Sequence, residues 1–294
     1  MSPDWRGRVD SDGGRRWHQV IQTPTVEAQM VIVGFPSDEG VRRNQGRPGA
    51  AAGPAHLRRA LSNLPEVDRV IADAGDTPVT GDLESDLAKH KLILDQFVRS
   101  DCLVVGLGGG HEMSEASLAF WRKFAPTGHV LNLDAHLDMR KESTPTSGTS
   151  FRTYLEAGGK NLHAFGISRA ANTQPLFHLA DQHGVPIVLD TEMDPWHWPT
   201  QREKLVSLLN EAEHVYLSLC LDVLEAGTAP GVSAPAGRGL NVAVVDDFVR
   251  TVARSGKCRL FDVAELNPSL DIDERTARVA ARLIWTMVSE HPFA

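Results

Sequence analysis

Residues 129–138 read HVLNLDAHLD, an apolar run that ends in polar residues of the kinds that bind metal ions. The apolar part is typical of a buried strand, and the polar side chains recur at every second position, at Asp134, His136 and Asp138. Because alternate side chains of an extended chain point the same way, we expect these three to face one point. Carboxylate and imidazole ligands suit Mn(II) and similar divalent ions better than a structural zinc cage, which favours thiolates.

Two further segments have the same layout. Residues 102–112 read CLVVGLGGGHE and lead to His111, while residues 215–222 read VYLSLCLD and end in Cys220 and Asp222. Ligands of open α/β folds bind outside the carboxyl ends of the strands, which is where these apolar runs end. The three segments together therefore predict a metal site at one edge of a sheet. Cys220 is either a ligand of that site or a small apolar residue of the core.

Short apolar strands alternate with helical patterns along the chain, which predicts a three-layer α/β/α fold with a mostly parallel central sheet. Strands are predicted at residues 30–35, 70–76, 103–106, 130–133, 162–166, 186–189, 215–221 and 258–264. Helices are predicted at residues 54–64, 82–99, 112–124, 149–157, 173–183, 200–210, 243–255 and 275–288. Residues 37–54 are rich in Gly, Pro and Arg and predict a long loop. We expect residues 29–294 to form one domain, preceded by a polar and disordered leader at residues 1–28.

The composition is that of an ordinary globular protein, with 41% hydrophobic and 23% charged residues. A formal net charge of -8 and scattered arginines argue against nucleic acid as a partner. No apolar stretch approaches the roughly 20 residues that span a bilayer, and residues 1–17 lack the apolar run of a secretory signal. Three cysteines without CxxC spacing do not predict disulfides. We therefore expect a cytoplasmic protein that binds neither membranes nor nucleic acid.

Other catalytic motifs are missing from the sequence. Residues 106–111 read GLGGGH and begin like a dinucleotide-binding loop, but a histidine occupies the place of the third glycine. The sequence contains no GxSxG and no GxxxxGKS/T. Neither a nucleotide-cradling loop nor a serine nucleophile is predicted.

Five segments, taken in order, resemble the ureohydrolase superfamily of arginases, agmatinases and formimidoylglutamases. They are DAGD (residues 73–76), GGGHE (108–112), DAHLD (134–138), SLCLD (218–222) and DVAELNP (262–268). The resemblance implies the arginase-like three-layer fold and a tendency to form homo-oligomers. It also implies two Mn2+ ions per subunit, with ligands at His111, Asp134, His136, Asp138, the position of Cys220, and Asp222.

Four other segments look most like the formimidoylglutamase branch of that superfamily. They are DEGVRRNQGR (residues 38–47), SGTSFR (147–152), SRAANTQ (168–174) and APGVSAP (229–235). The resemblance implies hydrolysis of N-formimidoyl-L-glutamate to L-glutamate and formamide, a step of histidine degradation. The mechanism implied is attack by a hydroxide that bridges the two metal ions, with Asp138 carrying a proton.

The charges of that substrate, two carboxylates and one cationic amidine, support the same branch. Arginine matches a carboxylate bidentately, and we expect Arg43, Arg152 and Arg169 to rim the sheet edge and bind the dicarboxylate. Glu265 follows the last predicted strand and is expected to hold the amidinium. Agmatine carries no carboxylate, so such arginines would repel it.

Two positions depart from the superfamily pattern. Phe151 stands where arginases carry a histidine that is thought to shuttle protons, which disfavours arginase activity. Cys220 stands where the pattern SxDxD has a bridging carboxylate, and a thiolate is a softer ligand that cannot bridge through two oxygens. Either Cys220 is a ligand or one ion is held more weakly. Two alternatives stay open, namely a ureohydrolase that acts on a guanidino acid and a degenerate metal-binding member without activity.

Overall fold

The structure, a computed structural model, describes residue 2 and residues 4–99 and 101–293. Its strands are β1 (Met30–Phe35), β2 (Ile71–Asp76), β3 (Leu103–Gly108), β4 (His129–Leu133), β5 (Leu162–Ile167), β6 (Ile187–Leu189), β7 (Val215–Cys220) and β8 (Cys258–Ala264). They form one eight-stranded sheet in the order β2-β1-β3-β8-β7-β4-β5-β6. Every neighbouring pair in it is parallel, so all eight carboxyl ends lie along the same edge.

Helices cover both faces of this sheet. They are α1 (Trp17–Val20), α2 (Glu39–Arg43), α3 (Gly53–Ser62), α4 (Leu83–Phe97), α5 (Met113–Phe124), α6 (Ser150–Glu156), α7 (Gln174–Gln182), α8 (Trp198–Glu211), α9 (Val242–Arg254) and α10 (Arg275–Glu290). One face packs against α1, α3, α8, α9 and α10, and the other against α4, α5, α6 and α7. The predicted three-layer α/β/α architecture is confirmed.

The two cores follow from the alternation of side chains along each strand. In β1, Met30 and Ile32 enter the cluster on one face, while Val31 and Val33 enter the cluster on the other. All four side chains are fully buried. Strands covered on both faces need apolar residues at consecutive positions, which is why these strands read as continuous apolar runs.

None of the helices in the described part of the chain combines the length and the apolar character that a membrane crossing requires.

The N-terminal leader packs on the domain. Trp17 is fully buried and shares an apolar cluster with residues of α3, and the indole of Trp5 donates a 2.7 Å hydrogen bond to Asp73 Oδ2. The expectation of disorder is therefore wrong for the described part of the leader. The two tryptophans were the available signal, because such large apolar surfaces are seldom left in water. The domain boundary near residue 28 stays a prediction.

The segment at residues 37–54 also differs from its prediction as a loop. It contains α2 and a 3₁₀ turn at Ala50–Ala52. The N–H of Gly40 donates to Glu112 Oε1 at 2.9 Å, which ties α2 to a distant part of the chain. This contact is tertiary, so a local sequence pattern carries no sign of it.

A buried ion-pair network holds β2 to α3. Arg58 is fully buried, and its Nε and Nη2 each lie 3.0 Å from a different oxygen of Asp73. Its Nη1 lies 2.6 Å from Asp76 Oδ1. Hydrogen bonds and charge from Asp73 outweigh the effect of burial and raise the pKa of Arg58.

We predict that Arg58→Met lowers the free energy of unfolding by about 3–5 kcal/mol, because it leaves the Asp73 carboxylate buried without its partner. The matched control is Arg59→Met on the same helix, since the Arg59 side chain is 52% exposed and pairs only with Asp4 among the described residues. Arg59→Met should lower the free energy of unfolding by less than about 1 kcal/mol. Urea denaturation of both variants measures the difference, and equal costs would contradict the prediction.

Candidate active site

Four adjacent strands bring the predicted ligands together. The sheet order places β3, β8, β7 and β4 side by side. His111 follows β3, Glu265 follows β8, Cys220 is the last residue of β7, and Asp134 follows β4. Asp222 lies in the 3₁₀ turn Leu221–Val223 directly after β7. The side chains meet because parallel strands end at a common edge.

The candidate ligands form two groups that share Asp134. In the first, ligand atoms of His111, Asp134 and Cys220 lie within 4.8 Å of one another, and in the second those of Asp134, His136 and Asp222 do. His111 Nδ1 lies 3.0 Å from Asp134 Oδ2. His136 Nδ1 lies 3.2 Å from Asp222 Oδ2 and 3.5 Å from Asp134 Oδ1. Asp134 is therefore placed where one carboxylate could serve two ions.

Asp138 joins this cluster through His111, whose Nδ1 lies 2.8 Å from Asp138 Oδ2. We expected an extended strand to turn Asp134, His136 and Asp138 towards one point. This expectation is wrong, because the segment after β4 is not extended. Asp134 Oδ1 accepts a 2.7 Å hydrogen bond from the N–H of His136, which closes a turn. Asp138 has φ of +47°, in the left-handed region that favours glycine. A turn and a strained residue aim these side chains, rather than strand alternation.

The cluster carries more negative charge than the protein compensates. Burial and repulsion from Asp134 raise the pKa values of Asp138 and Asp222. Asp222 in turn raises the pKa of His136 to about 12. Hydrogen bonds from His111 and His136 outweigh burial and hold the pKa of Asp134 below its usual range. Bound cations would relieve the repulsion among these carboxylates.

One orphaned oxygen shows that a metal ion fits here. Asp222 Oδ1 is buried and has no hydrogen-bond partner among the described residues. Buried carboxylate oxygens are normally hydrogen-bonded or coordinate a metal. Carboxylate oxygens and imidazole nitrogens at one point match the ligands that Mn(II) takes.

Cys220 lies inside the cluster rather than beside it. Its side chain is buried, and burial, followed by repulsion from Asp134 and Asp222, raises the pKa of the thiol well above its usual value. A thiol with a raised pKa ligates only when a cation displaces its proton. Its membership of the first ligand group agrees with the predicted role, which stays a prediction.

Glu265 stands directly behind His111. Its Oε1 accepts a 2.8 Å hydrogen bond from the backbone N–H of His111. Its φ of +73° also lies in the left-handed region, and such strain is concentrated at functional sites. Burial, with repulsion from Glu112 and Asp222, raises the pKa of Glu265 well above its usual value. A bound cationic group would offset that repulsion.

The cluster opens into a cavity of about 370 Å³. Of the three arginines predicted to rim it, Arg43 and Arg152 do not line it. Arg43 is held by Glu39 at 3.0 Å and by Glu84 at 2.8 Å. Arg152 pairs with Glu156 at 2.8 Å and lines a different cavity. Acidic neighbours hold both guanidinium groups away from this cavity, and their predicted contact with substrate stays a prediction.

Arg169 lies near the cluster but lines a cavity beside it. It lines a neighbouring cavity of about 550 Å³ that also reaches His136, and its guanidinium carbon lies 5.9 Å from the centre of the Phe177 ring. Its predicted contact with substrate stays a prediction.

Two arginines that the sequence reasoning did not single out line the cavity of the cluster, Arg47 and Arg140. The guanidinium of Arg47 donates to the carbonyl oxygens of Ser233 and Val232, both at 2.8 Å. Arg140 is exposed and passes over Gly148, where an added Cβ would lie 3.1 Å from Arg140 Cδ. Its position two residues after Asp138 was the signal that could have identified it.

Phe151 also faces the site. Its ring makes an edge contact with His111 at 5.7 Å between centroids, and it is fully buried. An apolar ring here shields His111 from water and offers no group that could transfer a proton.

An acidic cluster with metal-type ligands beside a polar cavity is typical of metal-dependent hydrolases. The comparisons with known proteins agree. The chain belongs to the arginase family, whose model matches residues 28–289.

Several relatives give the branch of the family. A formimidoylglutamase of Ralstonia nicotianae is 45% identical over 305 residues, covering 97% of this chain and 94% of that protein. A formimidoylglutamase of Nocardia farcinica is 43% identical over 304 residues, covering 99% and 97%. A crystal structure of Trypanosoma cruzi formiminoglutamase with Mn2+2 matches with a TM-score of 0.87 and 26% identity, covering 95% of this chain and 100% of that one. The resemblance to formimidoylglutamases is confirmed, and the chain is a hydrolase that acts on an amidine group.

We predict that Cys220→Asp keeps or raises Mn2+ occupancy, because a carboxylate is a harder ligand that suits Mn(II) better than a soft thiolate and can bridge through two oxygens. The matched variant Cys220→Ala removes the ligand atom and should lower the content by up to one ion per chain if the thiol ligates. Elemental analysis after dialysis against Mn2+ gives both values. Total loss of metal in Cys220→Asp would contradict the assignment of Cys220 to the ligand position.

Proposed function

We propose that this protein is a manganese-dependent formimidoylglutamase, which hydrolyses N-formimidoyl-L-glutamate to L-glutamate and formamide in histidine degradation. The observation that carries the proposal is one cavity lined by both an acidic ligand cluster and arginines, with Arg140 and Arg47 among its lining residues. The substrate has the complementary charges, an amidinium at one end and carboxylates at the other. The names of the relatives support the same substrate.

The reaction breaks the bond between the formimidoyl carbon and the α-nitrogen of glutamate. Oxygen from water ends on that carbon, which leaves as formamide, and the nitrogen leaves as the amine of glutamate. The amine needs a proton to depart, so the site must take a proton from water and deliver it to nitrogen. When bound, a pair of divalent cations supplies Lewis acidity and lowers the pKa of water towards neutrality.

The residues at the sheet edge divide the remaining tasks. Glu265 lines the cavity and is held by the N–H of His111, so its carboxylate is positioned to hold the amidinium. A cation there favours the ionised carboxylate, which offsets the raised pKa of Glu265. His111, Asp134, His136 and Asp222 would hold the ions, with Cys220 as a further candidate.

Asp138 is the candidate for proton transfer. It lines the cavity, lies 2.8 Å from His111 Nδ1, and has a pKa raised first by burial and then by Asp134. A carboxyl group with a raised pKa accepts a proton from water and releases it to a more basic amine. Phe151 cannot take this role, so we assign it to Asp138.

Arg140 is the candidate for binding a substrate carboxylate. Among the described residues no hydrogen bond or ion pair holds its guanidinium, so its donors remain available within the cavity lining. The guanidinium of Arg47 is partly occupied by two carbonyl groups. A planar guanidinium recognises a carboxylate by paired hydrogen bonds.

The guanidinium of Arg140 is available while that of Arg47 is partly occupied, and this difference favours one alternative, a ureohydrolase that acts on a guanidino acid. Such a substrate carries a single carboxylate and needs only one available arginine, which Arg140 supplies. A degenerate member without activity would bind metal and release neither product.

The cellular setting is part of the same proposal. Cys102, Cys220 and Cys258 are buried and unpaired, which suits the reducing cytoplasm. Self-association into a homo-oligomer follows from the family resemblance, and sedimentation of the purified chain measures it.

We predict that the protein with Mn2+ releases formamide from N-formimidoyl-L-glutamate and loses this activity after chelation. The panel includes arginine, agmatine and guanidinobutyrate, with urea measured as product. Urea from guanidinobutyrate without formamide would favour the guanidino-acid alternative. Bound Mn2+ without any product would favour the degenerate alternative.

We predict that Arg140→Ala raises KM about 10- to 100-fold and leaves Mn2+ content unchanged, because a hydrogen bond to a charged group contributes about 1.5–3 kcal/mol. Arg152→Ala is the matched control, since Arg152 pairs with Glu156 outside the cavity. Its KM should stay within about twofold. A large effect of Arg152→Ala with none of Arg140→Ala would restore the original sequence-based assignment.

A further inference from the structure

A chain of hydrogen-bonded side chains leads from His111 into the interior of the sheet. His111 Nε2 lies 2.9 Å from Ser218 Oγ, on the side of the ring opposite to the carboxylate cluster. Ser218 Oγ lies 3.2 Å from Ser114 Oγ, which lies 3.2 Å from the hydroxyl of Tyr216. The Tyr216 hydroxyl donates a 2.8 Å hydrogen bond to Asp262 Oδ2. None of the proposed chemistry uses Ser114, Tyr216 or Asp262.

The fold places these groups in contact with one another. Tyr216 and Ser218 are two residues apart on β7 and therefore point to the same face. Asp262 on β8 is the direct neighbour of Ser218 in the sheet register. On the other side of Asp262, a Cβ added to Gly106 would lie 2.1 Å from Asp262 Oδ1, so the glycine leaves room for this carboxylate.

Burial of the Asp262 carboxylate is energetically unfavourable. It is fully buried, and its Oδ1 has no hydrogen-bond partner among the described residues. No arginine or lysine pairs with it in the described chain, and its Oδ2 takes hydrogen bonds from Ser117 and Tyr216. Burial raises the pKa of Asp262 to about 6, so the group is ionised above that pH. A buried carboxylate without a cation adds little stability, which points to another role.

An ionised carboxylate sets the direction of every hydrogen bond in the chain, because it can only accept. The single hydroxyl hydrogen of Tyr216 goes to Asp262, so Tyr216 must accept from Ser114. Ser114 then accepts from Ser218.

At the near end of the chain, Ser218 in turn accepts from His111 Nε2–H. The proton of a neutral His111 is thereby placed on Nε2, and the lone pair of Nδ1 faces Asp134 and Asp138.

We propose that Asp262, acting through Tyr216, Ser114 and Ser218, is a positioning residue that holds His111 in the tautomer whose Nδ1 can bind a metal ion. The inference rests on the proposed metal site and adds residues that touch neither metal nor substrate. Partners of this kind on the second nitrogen of a ligating histidine fix its tautomer and orientation. Their loss typically weakens metal affinity about 10- to 100-fold.

Two serines on the same helix provide a matched test. Ser114 and Ser117 both lie on α5 and are both fully buried. Ser114 stands between Asp262 and His111, whereas Ser117 Oγ bonds to Asp262 Oδ2 at 2.6 Å and leads no further. Removal of the Ser117 hydroxyl costs one buried hydrogen bond and removal of the Ser114 hydroxyl costs two, but only Ser114→Ala interrupts the path.

The experiment is calorimetric titration of the metal-free full chain with Mn2+ at pH 8. Ser114→Ala and Tyr216→Phe should each weaken Mn2+ binding about 10- to 100-fold at the site to which His111 contributes. Ser117→Ala should weaken it less than about threefold. Because both variants break one path, the double variant Ser114→Ala/Tyr216→Phe should bind no more weakly than the worse single variant. Independent structural effects would instead add. Melting temperatures of the metal-free proteins separate metal affinity from folding.

Equal effects of Ser114→Ala and Ser117→Ala, or additive losses in the double variant, would overturn the inference while leaving the metal site intact. If the parent chain bound no Mn2+, the proposed function itself would fail. Asp262→Asn provides a second route should Tyr216→Phe not fold, since the amide cannot impose one direction on the chain. Parent-like affinity in that variant would also overturn the inference.

Discussion

The structure depends on crowding of like charges at one edge of a parallel sheet. Parallel pairing obliges all the strands to end together, and the four central ones deliver Asp134, Asp222, Glu265 and their neighbours to a common point. Burial and mutual repulsion raise the pKa values of Asp138, Asp222 and Glu265. Cations bound nearby would offset this repulsion, which connects the fold to the proposed chemistry.

Bringing these side chains together strains the backbone at a few positions. Asp138 and Glu265 both adopt positive φ, and each strained residue is anchored by contact with His111. Close approach of chains requires glycine as well, since a Cβ on Gly109 would lie 1.9 Å from the carbonyl oxygen of Ser37. The glycine-rich run before His111 therefore brings backbone segments together rather than cradling a phosphate. At Asp138 and Glu265, such strain lies at the edge where the ligands meet.

The sequence reasoning succeeded where a residue's location follows from the strand that it ends. Apolar runs predicted the strands, and the residues after them predicted which ligands meet at the sheet edge. It did not anticipate the ion pairs of Arg43 and Arg152, because the orientation of a long flexible side chain depends on which acidic partner is nearby. It overlooked α2 and the docked leader, which are held by contacts to distant residues such as Glu112 and Asp73. The inward chain from His111 was equally hidden, since its members come from three separate segments.

By itself, the sequence determined the layered α/β fold, the family and which candidate ligands lie at the sheet edge, because these depend on periodicity and on short runs of adjacent residues. Only the tertiary structure decided how those ligands are oriented. Asp134 stands between two ligand groups, Arg140 rather than Arg152 faces the cavity, and Asp262 is joined to His111 across two strands and a helix. Orientation depends on distances between residues far apart in the chain, and those distances are fixed only once the strands have paired in register.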